Sequence, residues 1–225
     1  MAETKRALII GASRGLGLGL VQVLQNEGWA VAATVRSQAP AELTQADATV
    51  HTLEMNELGS IDALVHELNG QTFDVVFINA GVMGPAGALE AVSAHDMANL
   101  FTTNVLSPIR LATRLAGNLR PDTGVLAFMS STLGTVASPD ALEIPLYKAS
   151  KAALNSMVNS LFNTLQEPRP TLLCMHPGWV KTDMGGPHAD IDVQTSTQGM
   201  VAQLNAYAGK GGLHFINYKG EPLPW

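Results

Sequence analysis

The chain has 225 residues, of which 46% are hydrophobic and 14% are charged, and its formal net charge is −6. This length fits one α/β domain with a sizeable core, and the negative charge argues against a nucleic-acid partner, because affinity for a phosphate backbone comes mainly from Lys and Arg. The single cysteine, Cys174, excludes an internal disulfide, reads as a buried thiol and favours a reducing compartment.

The N-terminal region reaches an apolar run, residues 7–10, within a few residues of the start. That run is too short for a signal peptide and far too short to span a membrane. We therefore expect a cytoplasmic protein with no membrane partner. The low charged fraction further predicts that some apolar surface meets another subunit, in a homodimer or homotetramer.

Short apolar runs alternate along the chain with segments of helical spacing. The runs predict strands at 6–10, 30–35, 49–55, 73–78, 125–129, 171–175 and 213–217, and the spacing predicts helices at 20–27, 61–68, 95–119, 147–165 and 196–208. The segment 41–48 is weakly helical, and Ser60 and Gly70 read as caps of the second helix. This alternation predicts an α/β fold in which helices cover both faces of a parallel sheet of about seven strands.

A glycine-rich turn, Gly11-Ala12-Ser13-Arg14-Gly15-Leu16-Gly17, joins the first predicted strand to the first helix. A dinucleotide pyrophosphate binds at such a helix N-terminus. Gly15 and Gly17 would let the backbone approach the phosphates while the amides of the first turn donate hydrogen bonds. The spacing is Gly-x-x-x-Gly-x-Gly rather than the standard Gly-x-Gly-x-x-Gly, and the alternative is a tight turn that binds nothing.

The end of the second predicted strand indicates which dinucleotide would bind. An acidic residue there binds the ribose 2′-hydroxyl of NAD, whereas an arginine accommodates the 2′-phosphate of NADP. Here Thr34-Val35-Arg36 contains no acid, and Arg14 adds a positive charge in the loop. The sequence therefore predicts NADP(H) in preference to NAD(H), although Arg36 alone could be a solvated strand-end charge.

Tyr147 and Lys151 lie four residues apart at the start of a predicted helix, so both side chains can reach one point in space. A phenol has a reference pKa of about 10. A fixed ammonium nearby favours the phenolate, which would lower that pKa and make Tyr147 a proton donor or acceptor. Taken alone, the pair also fits an ordinary solvated helix face.

Asn104 lies in the long predicted helix, four residues before Pro108. Proline has no amide hydrogen, so the Asn104 carbonyl would lack its usual helical donor and could hold a water molecule. The alternative is a simple kink without a catalytic role.

These motifs occur in a recognisable order. Asn79-Ala80-Gly81 follows the fourth strand, Ser131 follows the fifth, Tyr147-x-x-x-Lys151 comes next, and Pro177-Gly178-x-Val180-x-Thr182 follows the sixth. Together with the glycine turn and Asn104, they make nearly the whole chain resemble the short-chain dehydrogenase/reductase family. The C-terminal run from Gly220 to Trp225 is similar to the C-factor and sniffer-type carbonyl reductase group.

The resemblance implies a single Rossmann-type, doubly wound dinucleotide-binding domain over residues 1–225. It also implies an NADP(H)-dependent oxidoreductase acting on a carbonyl or secondary alcohol. Tyr147 would exchange a proton with the substrate oxygen, and Lys151 would hold the nicotinamide ribose and tune the phenol. Ser131 would hydrogen-bond the substrate oxygen, with Ser130 as a competitor, and Asn104 would anchor a water beside the lysine.

The motifs and the resemblance together predict a full cofactor-binding set and a mostly apolar substrate pocket. The cofactor set is Gly11, Ser13, Arg14, Gly15, Leu16, Gly17, Arg36, Glu54, Met55, Asn79, Ala80, Gly81, Tyr147, Lys151, Pro177, Gly178, Val180 and Thr182. The pocket candidates are Met83, Leu133, Leu142, Trp179 and Met184, for which the alternative is a place in the core. The six histidines show no metal-ligand spacing. A second hypothesis is a nucleotide-binding regulatory or signalling protein of the same fold with little or no turnover.

Overall fold

Seven strands form one parallel sheet in the order β3-β2-β1-β4-β5-β6-β7, in a computed structural model that describes residues 3–45, 47–86, 89–138 and 144–225. The strands are β1 (Arg6–Ile10), β2 (Ala30–Val35), β3 (Ala48–Thr52), β4 (Val75–Ile78), β5 (Val125–Met129), β6 (Thr171–His176) and β7 (Leu213–Asn217). The direction in which strands are added reverses between β1 and β4. A crevice is expected beyond the carboxyl ends of the strands at that point.

Helices cover both faces of this sheet, which confirms the predicted fold. They are α1 (Gly15–Asn26), α2 (Ala41–Gln45), α3 (Leu58–Glu67), α4 (Ala94–Phe101), α5 (Ser107–Leu115), α6 (Pro145–Thr164) and α7 (Val193–Tyr207). One buried cluster joins α3, α5 and α6 to one face, and the other joins α1 and α7 to the opposite face. Side chains alternate between them along β1, where Leu8 belongs to the first cluster and Ile9 to the second, as strand geometry requires.

Most predicted elements are found, with corrections at their ends. The bounds of β1, β2, β5 and β7 are as predicted, whereas β3 ends at Thr52 and β4 begins only at Val75. Ser60 does not cap α3, because the helix already begins at Leu58 and the Ser60 hydroxyl accepts a hydrogen bond from the Glu54 amide at 2.9 Å.

In the described part of the chain no helix is long and apolar enough to cross a membrane.

The predicted helix over 95–119 is interrupted. Between α4 and α5, Thr102–Leu106 forms a π-helical turn in which the Ser107 amide donates to the Thr102 carbonyl, five residues earlier. Pro108 lies in the first turn of α5 and has no amide to continue the regular i−4 pattern. Such π-turns are frequent at functional sites, and this one holds Asn104.

The residues after β7 fold back along it. Ile216 pairs in an antiparallel bridge with Pro222, and the Leu223 amide donates to the Phe215 carbonyl at 2.8 Å. The Thr135 hydroxyl donates to the Pro224 carbonyl at 2.5 Å. The C-terminal tail is thereby joined to the segment that follows Ser131.

Candidate active site

A cleft of about 520 Å³ lies where the strand order reverses, beyond the carboxyl ends of β1 and β4. It is lined by most of the predicted cofactor-binding residues, drawn from six separate segments of the chain. They are Gly11, Ser13, Arg14, Gly15, Leu16, Arg36, Glu54, Met55, Asn79, Ala80, Gly81, Tyr147, Lys151 and Thr182. The fold therefore places the glycine turn and the pair of Tyr147 and Lys151 in one cleft.

Six predicted site residues do not line this cleft: Gly17, Asn104, Ser131, Pro177, Gly178 and Val180. Val180 is buried and forms a bridge with Ile191. Sequence reasoning missed other lining residues: Ile10, Thr34, Val35, Leu53, Asn56, Val82, Thr103, Met129 and Asp183. Most of these are strand ends and loop positions with no motif of their own, although Asp183 directly follows the predicted Thr182.

The glycine turn is packed so closely that side chains are excluded. A Cβ atom on Gly17 would lie 2.0 Å from the Gly11 carbonyl oxygen, and one on Gly11 would lie 2.8 Å from the Ala80 Cβ. Gly11 also has a φ of +84°, a conformation that favours glycine. The Asn79 side-chain amide donates to the Gly11 carbonyl at 2.7 Å. These contacts hold the turn against the end of β4 and leave a backbone cradle.

The N-terminus of α1 opens into this cradle. Arg14 precedes the helix, makes no side-chain capping bond, and the first turn contains no acidic residue. The helix dipole and the first-turn amides therefore favour an anion at this position. At the neighbouring end of β2, the Thr34 hydroxyl accepts from the Gly11 amide at 3.0 Å. Arg36 is exposed beside it and forms no ion pair with any carboxylate in the described ranges.

Tyr147 and Lys151 face the cleft together, with the Lys151 Nζ atom 5.6 Å from the centre of the Tyr147 ring. The ammonium donates to the Met129 carbonyl at 2.8 Å. The predicted lowering of the phenol's pKa is wrong: burial raises the pKa of Tyr147 to about 12, because removing the phenolate from water is unfavourable. Burial likewise lowers the pKa of Lys151 to about 8. At neutral pH the phenol is therefore protonated.

Asn104 is buried, and its side chain is fully used in hydrogen bonds. Its Oδ1 atom accepts from the Val82 amide at 2.9 Å, and its Nδ2 atom donates to the Val82 carbonyl at 2.8 Å and to the Ser150 hydroxyl at 3.0 Å. The amide thus joins the π-turn to the loop after β4 and to the helix that carries Lys151. This leaves only the backbone carbonyl of Asn104 for the predicted water.

The two serines at the end of β5 have different environments. The Ser130 hydroxyl is buried and donates to Asn155 Oδ1 at 2.6 Å. The Ser131 hydroxyl accepts from the Leu133 amide at 3.1 Å and, among the described residues, has no acceptor for its own proton. The Ser131 proton is therefore available to an acceptor outside these contacts, whereas the Ser130 proton is already donated to Asn155.

An apolar surface borders the cleft on the side of the β6 loop. Met184 lines the cleft and is 44% exposed, and Trp179 is 51% exposed with its indole N–H donating to the Gly185 carbonyl at 2.8 Å. The alternative that these two side chains belong to the core is therefore wrong. Met83 and Leu133 are partly buried, and Leu142 lies outside the described residues.

His176, at the end of β6, gives the fold a predicted sensitivity to acid. Its Nδ1 atom is buried and has no hydrogen-bond partner within the described segments, and burial lowers the pKa of this imidazole to about 4. An unfolded histidine titrates near 6.5. Below that pH the unfolded chain therefore binds more protons than the folded chain, and the free energy of unfolding decreases as the pH is lowered. We expect this group to remove about 2 kcal/mol of unfolding free energy at about pH 5.

Urea unfolding of His176→Asn at about pH 7.5 and pH 5 measures this loss. The variant is expected to lose less stability than the wild type on acidification. The exposed His188→Asn serves as control and should keep the wild-type difference. Equal acid sensitivity in His176→Asn and the wild type would contradict the assignment.

A family model and a curated relative each match more than half of the chain. Residues 5–191 match the family model described as short chain dehydrogenase. The C-signal protein of Myxococcus xanthus is 37% identical over 155 residues, which cover 68% of this chain and 92% of that protein.

Solved structures are similar over almost the whole chain. A carbonyl reductase from Pseudomonas aeruginosa PAO1 in complex with NADP has a TM-score of 0.91 and 36% identity, covering 99% of this chain and 100% of that one. The carbonyl reductase Sniffer of D. melanogaster has a TM-score of 0.90 and 32% identity, with the same coverage of 99% and 100%.

Proposed function

Because the chain belongs to the short-chain dehydrogenase family, we propose that it is an NADPH-dependent carbonyl reductase. Its substrate is a carbonyl compound, or a secondary alcohol in the reverse direction. The observation that carries the proposal is the shared cleft, which is lined both by Tyr147 and Lys151 and by the glycine turn. Proton-transfer groups and a dinucleotide cradle are the two parts that this reaction needs.

The residues present fit NADP(H). The glycine cradle and the uncapped start of α1 suit the pyrophosphate. The end of β2 offers Arg36 and no carboxylate, which favours a 2′-phosphate. Two similar proteins are solved with NADP bound. When bound, NADPH would supply the hydride.

Tyr147 is proposed as the general acid. Its buried phenol keeps its proton at neutral pH, so it can donate that proton to the carbonyl oxygen as negative charge develops there. The Lys151 ammonium, 5.6 Å from the ring centre, stabilises the phenolate that remains. Ser131 holds the same oxygen with its free O–H, and Asn104 positions the lysine helix through Ser150.

A screen for NADPH oxidation against aldehydes, ketones and quinones tests the proposal, with NADH in parallel. We expect turnover of at least one class and a preference for NADPH. Equal affinity for NADH and NADPH in a titration would contradict the cofactor assignment, and absence of turnover over the whole panel would contradict the catalytic one.

The two serines give a sharper test. Ser131→Ala should lower kcat by about tenfold, because it removes one hydrogen-bond donor from the reacting oxygen; its effect on thermal stability should be confined to the lost bond from the Leu133 amide. Ser130→Ala should instead lower the melting temperature, because it leaves Asn155 without its partner. Steady-state kinetics and thermal unfolding of both variants measure this difference. The reverse pattern would assign the role to Ser130.

A second candidate function is signalling through a cofactor-bound state with little turnover. It is favoured by the similarity to the C-signal protein, whose name denotes a signal. Affinity for NADPH together with inactivity against the carbonyl panel would support this candidate over the reductase.

We further propose that residues 1–225 act as one dinucleotide-binding domain in the reducing cytoplasm. The thiol of Cys174 is fully buried in the sheet, which agrees with a structural cysteine.

Exposed apolar side chains on three helical segments, Met97, Leu106 and Met157, support association into a homodimer or homotetramer. Light scattering that shows a lone monomer at working concentration would exclude it.

A further inference from the structure

An ion pair lies in the lining of the cleft, at the glycine turn. The Arg14 Nη1 atom lies 2.7 Å from the Asp183 Oδ2 atom, and the two side chains are 78% and 77% exposed. Arg14 belongs to the glycine turn after β1, and Asp183 belongs to the loop after β6. Both residues line the cleft, so the pair joins two loops of its lining.

The pairing conflicts with the binding of an anion at the glycine turn. Arg14 lies directly before α1. It therefore belongs to the same turn as the backbone amides that favour a phosphate. Asp183 already occupies one edge of that guanidinium. The other charged residues of the cleft are Arg36, Glu54 and Lys151, and none of them forms an ion pair with Arg14 or Asp183 within the described ranges.

We propose that Asp183 sets the affinity of the cleft for NADP(H) by competing with the cofactor's phosphates for Arg14. This inference rests on the proposed function, because it concerns the same cofactor. Cofactor entry replaces a carboxylate with a phosphate on one guanidinium, and cofactor release restores the original pair. Asp183 therefore weakens binding and speeds release, although it does not contact the reacting atoms.

The expected effect is modest, because an exposed ion pair contributes little in water. Asp183→Asn removes the charge and Asp183→Ala removes the side chain; both should lower the Kd for NADPH by about two- to fivefold. The gap between variant and wild type should shrink at about 1 M NaCl, where the Debye length is about 3 Å. Fluorescence titration with NADPH at low and high salt measures both quantities on the full chain.

A matched control is available outside the cleft lining. Arg114 and Asp62 form an ion pair of the same length, 2.7 Å, with side chains 54% and 55% exposed. This pair links α5 to α3 and does not line the cleft. Asp62→Asn should therefore leave the Kd for NADPH unchanged.

A double variant separates competition from plain charge repulsion. In an Arg14→Gln background, titrated to millimolar NADPH, Asp183→Asn should no longer improve the Kd, because the contested guanidinium is gone. A full improvement without Arg14 would overturn the competition, as would an unchanged or higher Kd in Asp183→Asn alone. NADPH binding without carbonyl turnover would defeat the reductase proposal and leave this inference standing.

Discussion

Tyr147→Phe is expected to lower kcat for carbonyl reduction by at least about a hundredfold, which is the usual scale for a lost general acid. The substitution removes the hydroxyl and keeps the ring. The phenol is protonated at neutral pH because burial raises its pKa to about 12, and it shares the cleft with the Lys151 ammonium. Single-turnover kinetics with NADPH in excess would report the chemical step directly.

The same preparation should still bind NADPH, because the glycine turn and Arg36 are unchanged. Tyr207→Phe is the matched control: this tyrosine lies in α7, its ring contacts His214, and it is outside the cleft. It should react at the wild-type rate. If Tyr147→Phe also reacted at the wild-type rate, the proton would have to come from another group.

Gly17→Ala is expected to raise the Kd for NADPH by about a hundredfold, because the turn must move. The added Cβ would lie 2.0 Å from the Gly11 carbonyl oxygen and 2.7 Å from the Asn79 Nδ2 atom. The first of these contacts is with backbone, so it cannot be relieved by rotating a side chain. Displacing amides that donate to a charged phosphate costs about 1.5–3 kcal/mol for each lost bond. Overpacking should also lower the unfolding free energy by about 1–3 kcal/mol.

Gly59→Ala provides the comparison for this variant. Gly59 lies in α3, is exposed, and a Cβ there would meet nothing within 4 Å. Alanine should raise the unfolding free energy by up to about 1 kcal/mol through helix propensity and leave the Kd unchanged. Titration and chemical unfolding of both variants measure these effects; an unchanged Kd in Gly17→Ala would show that the cradle does not hold the cofactor.

The sheet could be predicted from sequence because five of its seven strands, all except β3 and β7, are buried on both faces, and because strands end at clear breaks. The run 6–10 ends at Gly11, which has a positive φ, and the run 125–129 ends at the serine pair. The helix over 95–119 was predicted as continuous because hydrophobic spacing does not distinguish a π-turn from a regular one. Pro108 signalled a lost hydrogen bond, but the five-residue turn that results depends on how Thr102–Leu106 packs.

The site was predictable only where local motifs exist. The pKa of Tyr147 is raised by burial, despite the lysine one turn away. The spacing of the two residues does not predict how deeply the phenol is buried. The choice between Ser130 and Ser131 depends on Asn155, which lies on another element. Asp183 meets Arg14 across 169 positions of sequence, and no local pattern predicts that contact.

The return of the chain along β7 has a consequence for association between molecules. A terminal strand with unpaired backbone groups is a template for aggregation. Here the rim of the sheet beyond β7 is occupied by the antiparallel bridge from Ile216 to Pro222, and a proline offers no amide to a further strand. Extension of the sheet from one copy of the protein to another is therefore blocked on this side.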